Sequence, residues 1–272
     1  MKKSQYSMKI YMICSTSLAT LIVLYLLGFI IVNGSSSFSM DFILSSPKGM
    51  PIGSSGGIYP ALIGTIYFGL VAIIFSGILS LSMALYLCFY CNNSKIKSIL
   101  RTIIGIIAGI PSIVLGLFGY GFFVVTLNLG LSILSGGLVL GIMIFPYIET
   151  NLEKVFLEVD KSLLSSSYAL GVNKTYTLFK LVLPTVRKEI LSTFSLGTSL
   201  ALGASAPILL TGAVTFSKVP KNILSPAMAL PVHLYYLMAE GISVENAYGT
   251  AFVMILLLFI LNAIPFLTCK KQ

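Results

Sequence analysis

Charge is scarce in this 272-residue chain. Asp, Glu, Lys and Arg make up only 9% of its positions, against about 25% in an ordinary soluble protein. Apolar residues fill 57% of the chain, more than one soluble core needs, so lipid is the solvent for most of it. Histidine occurs once, at His233, which excludes a His-rich metal site and a H-E-x-x-H protease. No Gly-Lys pair occurs, so the chain has no G-x-x-x-x-G-K-[ST] loop with which to cradle nucleotide phosphates itself. No nucleophile, base and metal ligands converge as a membrane-embedded enzyme requires. The acids near an apolar run are Glu149 and Glu189, both at run ends, which argues against an ion-coupled secondary transporter. The net charge of +9 lies in short clusters between apolar runs, with no basic stripe interleaved with aromatics, so nucleic acid is not a partner. Of the four cysteines, Cys14, Cys88, Cys91 and Cys269, two form a lone C-x-x-C. With no second ligand pair it reads as two small apolar residues at a helix end.

What is present is a series of apolar runs. The first, Ile10–Val32, follows Lys2, Lys3 and Lys9. It is too long for a signal peptide, no small-x-small cleavage site follows closely, and it reads as a retained helix. Residues 33–57, rich in Ser and Gly, form a loop. Further runs cover Ile58–Tyr90, Ile99–Leu127 interrupted by Pro111, Leu131–Ile148 with Pro146 near its end, Ile190–Val214 with Pro207, and Gly249–Leu267. About six crossings put both termini on one side. Fourteen of the 17 Lys and Arg residues then fall at the termini and in the loops 92–101 and 149–189, leaving Lys48, Lys218 and Lys221 opposite, so the richer side is cytoplasmic. The expected architecture is an all-α, multi-pass protein of the cell (inner or plasma) membrane. It forms a single domain over 1–272, with its core at 58–268, a cytoplasmic loop at 149–189 and an outer loop at 215–248.

Small residues recur at helix-packing spacing: Gly105 and Gly109, Gly137 and Gly141, and Ser195, Ser199 and Gly203. The first two pairs read as helix contacts. The third set, continued by Ser205, Pro207 and Thr211, is open to two readings: packing, or hydroxyls lining a wet path.

In the long cytoplasmic loop, Leu152, Val155, Phe156, Val159 and Leu163 form an apolar stripe at helical spacing. Gly171 suits a left-handed stop, and Asn173 can cap a second short helix, Lys174–Leu183, ending at Pro184. Two short helices meeting at a tight glycine turn form either a surface connector or a knob that docks into a partner.

The run Ser165-Ser166-Ser167, three residues, Gly171, nine residues, Leu181-x-Leu183-Pro184 resembles the E-A-A, three, Gly, nine, Ile-x-Leu-Pro loop of ABC importer permeases. Tyr168-Ala169-Leu170-Gly171 looks like the phosphate-importer version. Gly57-Ile58-Tyr59-Pro60-Ala61-Leu62-Ile63-Gly64-Thr65 is similar to that branch's G-I-x-P-A-I-x-G-T. Residues 110–119 (Ile110-Pro111-Ser112-Ile113-Val114 and onward), Ala206-Pro207-Ile208-Leu209-Leu210-Thr211 and Leu230-Pro231-Val232-His233-Leu234-Tyr235 resemble its V-P-S-I-V-x-G-L-F-G, A-P-L-L-x-T and L-P-V-x-I-Y. The resemblance, to the second permease subunit of the phosphate ABC importer, runs in order over most of residues 40–268. One departure stands out. The family's fifth helix usually carries an arginine, two residues, then Gly-Glu-Thr-Ala-Pro; here the arginine position is Leu200 and the glutamate position Ala204.

The resemblance implies the type I importer permease fold and a transmembrane channel subunit of an ATP-driven importer, for inorganic phosphate by family default, with no catalytic residues and no cofactor of its own. ATP and Mg are implied in a separate pair of ATPase subunits. A homologous second permease forming a heterodimer and an extracytoplasmic phosphate-binding protein complete the implied assembly. Ser165, Ser166, Ser167, Gly171, Leu183 and Pro184 would couple to the ATPase. Ser195, Ser199, Leu200, Gly203, Ala204, Ser205, Pro207 and Thr211 would flank the path. Pro231, His233 and Tyr235 would face the binding protein. The two missing charges keep two alternatives open: a permease for another solute or oxyanion, or a non-transporting structural subunit.

Overall fold

The longest apolar runs form the longest helices, because in lipid a backbone must satisfy its own hydrogen bonds. The computed structural model describes residues 2–268; Cys269, Lys270 and Lys271 lie outside them. Helix α1 (Lys2–Ser35) precedes a short α2 (Met40–Leu44) and a hairpin of β1 (Pro47–Lys48) with β2 (Ser55–Gly56). Helix α3 (Tyr59–Leu85) continues as a π-helical turn, Tyr86–Tyr90. Then come α4 (Ser94–Gly109), α5 (Ser112–Gly119) with a π-helical extension, and α6 (Ile133–Leu157). The segment expected to be cytoplasmic holds α7 (Lys161–Ala169), α8 (Lys174–Thr177), a π-helical turn at Leu178–Val182 and α9 (Leu183–Thr185). It leads into α10 (Arg187–Gly203), α11 (Ala206–Leu209), α12 (Leu230–Ala239) and α13 (Val244–Thr268).

Helices α3 and α6 are the centre of the bundle and make its most extensive pairing. They run parallel: Gly137 lies against Val71, Gly141 against Phe75, and Ser80 Oγ donates to the Phe145 carbonyl at 3.2 Å. Glycine lets the two backbones approach, and a Cβ on Gly137 would come within 2.5 Å of Val71. Helix α10 packs on α6, where Gly197 receives Ile148, and on α3 and α13. Helix α1 lies mainly along α13, where Phe29 meets Tyr248 and Phe38 meets Phe252 edge to face. Most of its other described apolar side chains are exposed, as suits a helix bathed in lipid. Near the start of α3, Thr65 bonds the Ala61 carbonyl and accepts the Leu230 N–H, both at 2.7 Å, joining α3 to the start of α12.

Four helices among the described residues are long and apolar enough to cross a membrane: Met8–Ser35, Tyr59–Tyr90, Ile133–Leu157 and Val244–Leu267. The α4–α5 pair, bent by 97° at Ile110–Pro111, makes a fifth if taken as one span. The bend follows from Pro111, which has no N–H to donate and holds Ile110 extended.

Several run boundaries differ from expectation. The run Ile190–Val214 is not one helix: α10 is 17 residues long and stops at Gly203. Pro207 explains the stop, since its ring would collide with the Gly203 carbonyl and it has no N–H to offer it. Beyond α11 the chain turns back, with Val214 and Ala227 bonded at 3.1 Å. Helix α6 runs past Ile148 to Leu157 because Ile144, Ile148, Leu152 and Phe156 continue one buried face. The stripe expected on a separate cytoplasmic helix is therefore split, its first part ending α6. Pro184 does not stop the second knob helix; it sits in the first turn of α9. A Cβ on Gly105 or Gly109 would have no neighbour within 4 Å, so nothing among the described residues packs there.

Candidate functional site

Beyond α6, α7 to α9 make a knob built by caps. Asp160 accepts the Ser162 N–H at 2.8 Å, and this bond holds its carboxyl below the usual range. Gly171 closes α7 at φ +74°, a left-handed geometry that glycine adopts without strain. Asn173 then accepts the Tyr176 N–H at 2.7 Å and starts α8. Across the turn Ser167 and Thr177 share a hydroxyl bond of 2.8 Å. Ser165 and Ser166 are exposed, Ser165 donating to the Ser162 carbonyl. Between the two arms lies a concave surface that includes Leu163, Ser166, Leu170, Tyr176 and Leu181. Leu170 is 83% exposed, and Tyr176 and Phe179 are exposed beside it. Leu183 packs inward with Leu178 and Val182 on the bundle core, while Pro184 is exposed. The knob thus has an apolar root within the bundle and a rim of exposed apolar side chains outside it.

The α10 residues separate into two groups. Ser195 donates to the Leu261 carbonyl at 2.6 Å, and Ser199 accepts Asn262 Nδ2 at 3.0 Å while donating to the Ser195 carbonyl. These two hydroxyls join α10 to α13. Thr211 is fully buried and bonds the Pro207 carbonyl, and Pro207 presses against α5, where a Cβ on Gly116 would lie 3.0 Å from it. Ala204 is extended and packs against the main core; Ser205 is half-buried beside it. The open face of α10 consists of Leu196, Leu200 and Gly203, with Leu200 50% exposed. Where the resemblance expects an arginine, an apolar side chain faces outward.

Of the residues expected in an outer loop, Tyr235 is exposed, whereas Pro231 lies buried in the first turn of α12. His233 is 2% exposed, its ring edge-on to Phe216. Burial pulls its imidazole down to about 4, so it is neutral at pH 7.

Sequence reasoning missed a charge cluster near the root of the knob. Arg101 on α4 donates through Nε, at 3.1 Å, and Nη2 to one oxygen of Glu153 on α6. Glu149, one turn deeper on α6, is 1% exposed, and its Oε1 has no hydrogen-bond partner among the described residues. The i,i+4 acids were visible; their partner, about fifty residues away on another helix, was not. Asn262 was missed as well, although a lone amide within the last apolar run was the available signal.

With this geometry in view, known proteins are informative. The family model described as the binding-protein-dependent transport system inner membrane component matches residues 76–268. A probable ABC transporter permease protein of Bacillus subtilis, YqgI, is 28% identical over 92% of this chain and 90% of its own. The phosphate transport system permease protein PstA 2 of Mycobacterium bovis is 32% identical over 77% of this chain and 70% of its own. A probable PstA of Methanocaldococcus jannaschii is 31% identical over 78% and 75%. Among solved structures, a chain of the MetNI methionine ABC transporter in an inward-facing conformation superposes with a TM-score of 0.64 at 16% identity. That match covers 76% of this chain and 92% of the other, and it shows that the fold is that of the type I importer permeases. The chain belongs to the inner-membrane permease family of binding-protein-dependent ABC transport systems.

Proposed function

We propose that this permease subunit moves inorganic phosphate, in a heterodimer with a homologous permease, driven by ATPase subunits that grip the knob and fed by an extracytoplasmic phosphate-binding protein. Membership of the family makes the chain a transport subunit rather than an enzyme and implies a partner ATPase and a substrate-binding protein. The phosphate assignment rests on relatives that bear that name at 31–32% identity. The observation that carries the mechanism is the knob: an exposed apolar rim on a root buried in the same core that holds α3, α6 and α10. Pulling on the rim therefore moves the bundle as packed bodies. The flank of α4 and α5, with Ile103, Ile106, Ile113 and Leu117 exposed and Gly105 unfilled, supports a second permease seated there.

The apolar open face of α10 favours a division of labour. An oxyanion needs donors or positive charge along its path, and Leu196 and Leu200 offer neither. The homologous partner then supplies the charged groups, and this chain supplies wall and dock. A different, less charged solute is the second reading, favoured by the same two leucines. The test is uptake of radiolabelled phosphate into proteoliposomes holding the assembled complex, in competition with sulfate, molybdate and neutral solutes. Phosphate uptake changed only modestly by Leu200→Arg with Ala204→Glu supports the division of labour. Uptake that appears only with the restored pair means the natural solute is another. A complex that hydrolyses ATP and moves phosphate equally well without this chain means a structural subunit.

A further inference from the structure

The root of the knob is apolar and non-directional. Leu178, Val182 and Val186 pack with Leu152, Phe156 and Leu85, and Phe89 meets Phe156 edge to face at 5.8 Å. Contacts of this kind hold two bodies together without fixing the angle between them. One directional tie is added to them. Lys174 Nζ lies 4.8 Å from the centroid of the Tyr90 ring, and the Tyr90 hydroxyl is 3.3 Å from Thr175 Oγ1. Among the described residues, no other side-chain hydrogen bond joins α7, α8 or α9 to a membrane helix. The tie is made at the first turn of α8, just beyond Gly171. On the membrane side Tyr90 is itself held: it ends the π-helical turn Tyr86–Tyr90, closed by the Cys91 N–H on the Tyr86 carbonyl at 2.8 Å. On that same turn Cys88 Sγ donates to the Glu153 carbonyl, the residue gripped by Arg101. A wide turn shifts the residues that follow out of α-helical register, and such turns occur disproportionately at functional positions.

We propose that Tyr90 is a positioning residue for energy coupling: through Lys174 and Thr175 it fixes the angle of the knob on α3, so that motion imposed on the knob turns the bundle instead of rolling the knob on its apolar root. The proposal rests on the reading of the knob as the ATPase dock, and the two fail differently. The experiment uses the assembled complex in proteoliposomes, in a background with the native cysteines replaced, with Leu200→Cys as reporter on the open face of α10. An impermeant maleimide reads the change in labelling on trapping with ATP and vanadate, and ATP hydrolysis is measured in parallel.

Tyr90→Leu and Lys174→Met each remove the cation–ring contact. Each is expected to leave ATPase co-purification and hydrolysis intact while cutting the ATP-dependent labelling change roughly two- to fivefold, the range of one exposed contact of this type. Tyr90→Phe keeps a ring beneath Lys174 and should retain most of the change. If Tyr90→Leu accumulates poorly, Lys174→Met carries the same comparison. A full labelling change in Lys174→Met overturns the proposal; so do labelling and hydrolysis falling together, the mark of a merely structural defect. Loss of co-purification from the unmutated knob, or normal coupling in Gly171→Val, sinks the docking reading itself, whatever Tyr90 does.

Discussion

Two pairs of glycines spaced by four residues meet opposite fates in this protein. Gly137 and Gly141 on α6 are filled by Val71 and Phe75 of α3, in the most extensive helix pairing of the bundle. Gly105 and Gly109 on α4 carry the same spacing and the same apolar surroundings, yet a Cβ on either meets nothing. The spacing says that a surface can be approached closely, not which chain approaches it. The first pair belongs to folding; the second is available to assembly. A leucine introduced into each tests the contrast.

The largest expected effect is at the filled pair. A Cβ on Gly137 already overlaps Val71, and a leucine would have to part α3 from α6. Overpacking of this kind costs about 3 kcal/mol or more. Gly137→Leu should therefore fail to accumulate in the membrane, or melt far lower in detergent; melting within a degree of the unmutated protein would show that α3 and α6 are not the rigid centre described here.

Next in size is a pH effect on a polar group enclosed by the chain. The folded-state pKa of His233 lies near 4, against an ordinary 6.5, because burial disfavours the imidazolium. On acidification the unfolded chain takes up its proton first. This contribution to stability is thus complete above pH 6.5 and is lost as pH falls through the window toward 4, up to about 3 kcal/mol. Melting between pH 7 and 4.5 should fall more steeply for the natural chain than for His233→Phe. Parallel curves would mean that His233 is hydrated.

These contrasts mark what could be read from the residues alone. The knob was legible: Gly171 is left-handed and Asn173 caps α8, because caps are local and depend on a few neighbouring residues. The interruption at Pro111 was legible for the same reason, though not the angle of the bend. The direction faced by the α10 hydroxyls was not. A serine in a membrane helix always has a carbonyl one turn back, so its pattern does not reveal whether it points at a path or at a neighbour. Helix rotation decides, and here rotation turns Ser195 and Ser199 to α13 and leaves Leu196 and Leu200 outside. The Arg101–Glu153 pair was hidden because it depends on how α4 lies against α6.

A smaller effect follows from that rotation. Asn262→Leu removes the amide that bonds Ser199 but leaves the Ser199 bond to the Ser195 carbonyl intact. Hydrogen bonds between membrane helices contribute about 0.6 kcal/mol on average and up to about 1.7. A melting change within that range, with the assembled complex still coupled, is the expected outcome. A complete loss of transport with unchanged melting would instead place Asn262 on the solute path.

The smallest effect on the chain itself is expected at the open pair, and it sharpens the comparison most. A Cβ at Gly105 in α4 meets no described atom within 4 Å, so a side chain can be added there, and it lowers the conformational freedom of the unfolded state. Gly105→Leu should leave the isolated subunit as stable as before, or raise its stability by about 0.5 to 1 kcal/mol. If the homologous permease seats on this flank, the same substitution should abolish co-purification of the two permeases, because the added side chain keeps the helices apart. Substituting Leu117, exposed farther along the same flank, with Ala should weaken assembly without abolishing it. Should Gly105→Leu assemble normally, the partner sits elsewhere and this face meets lipid. Loss of stability in the isolated subunit would mean that some part of this chain already fills the space.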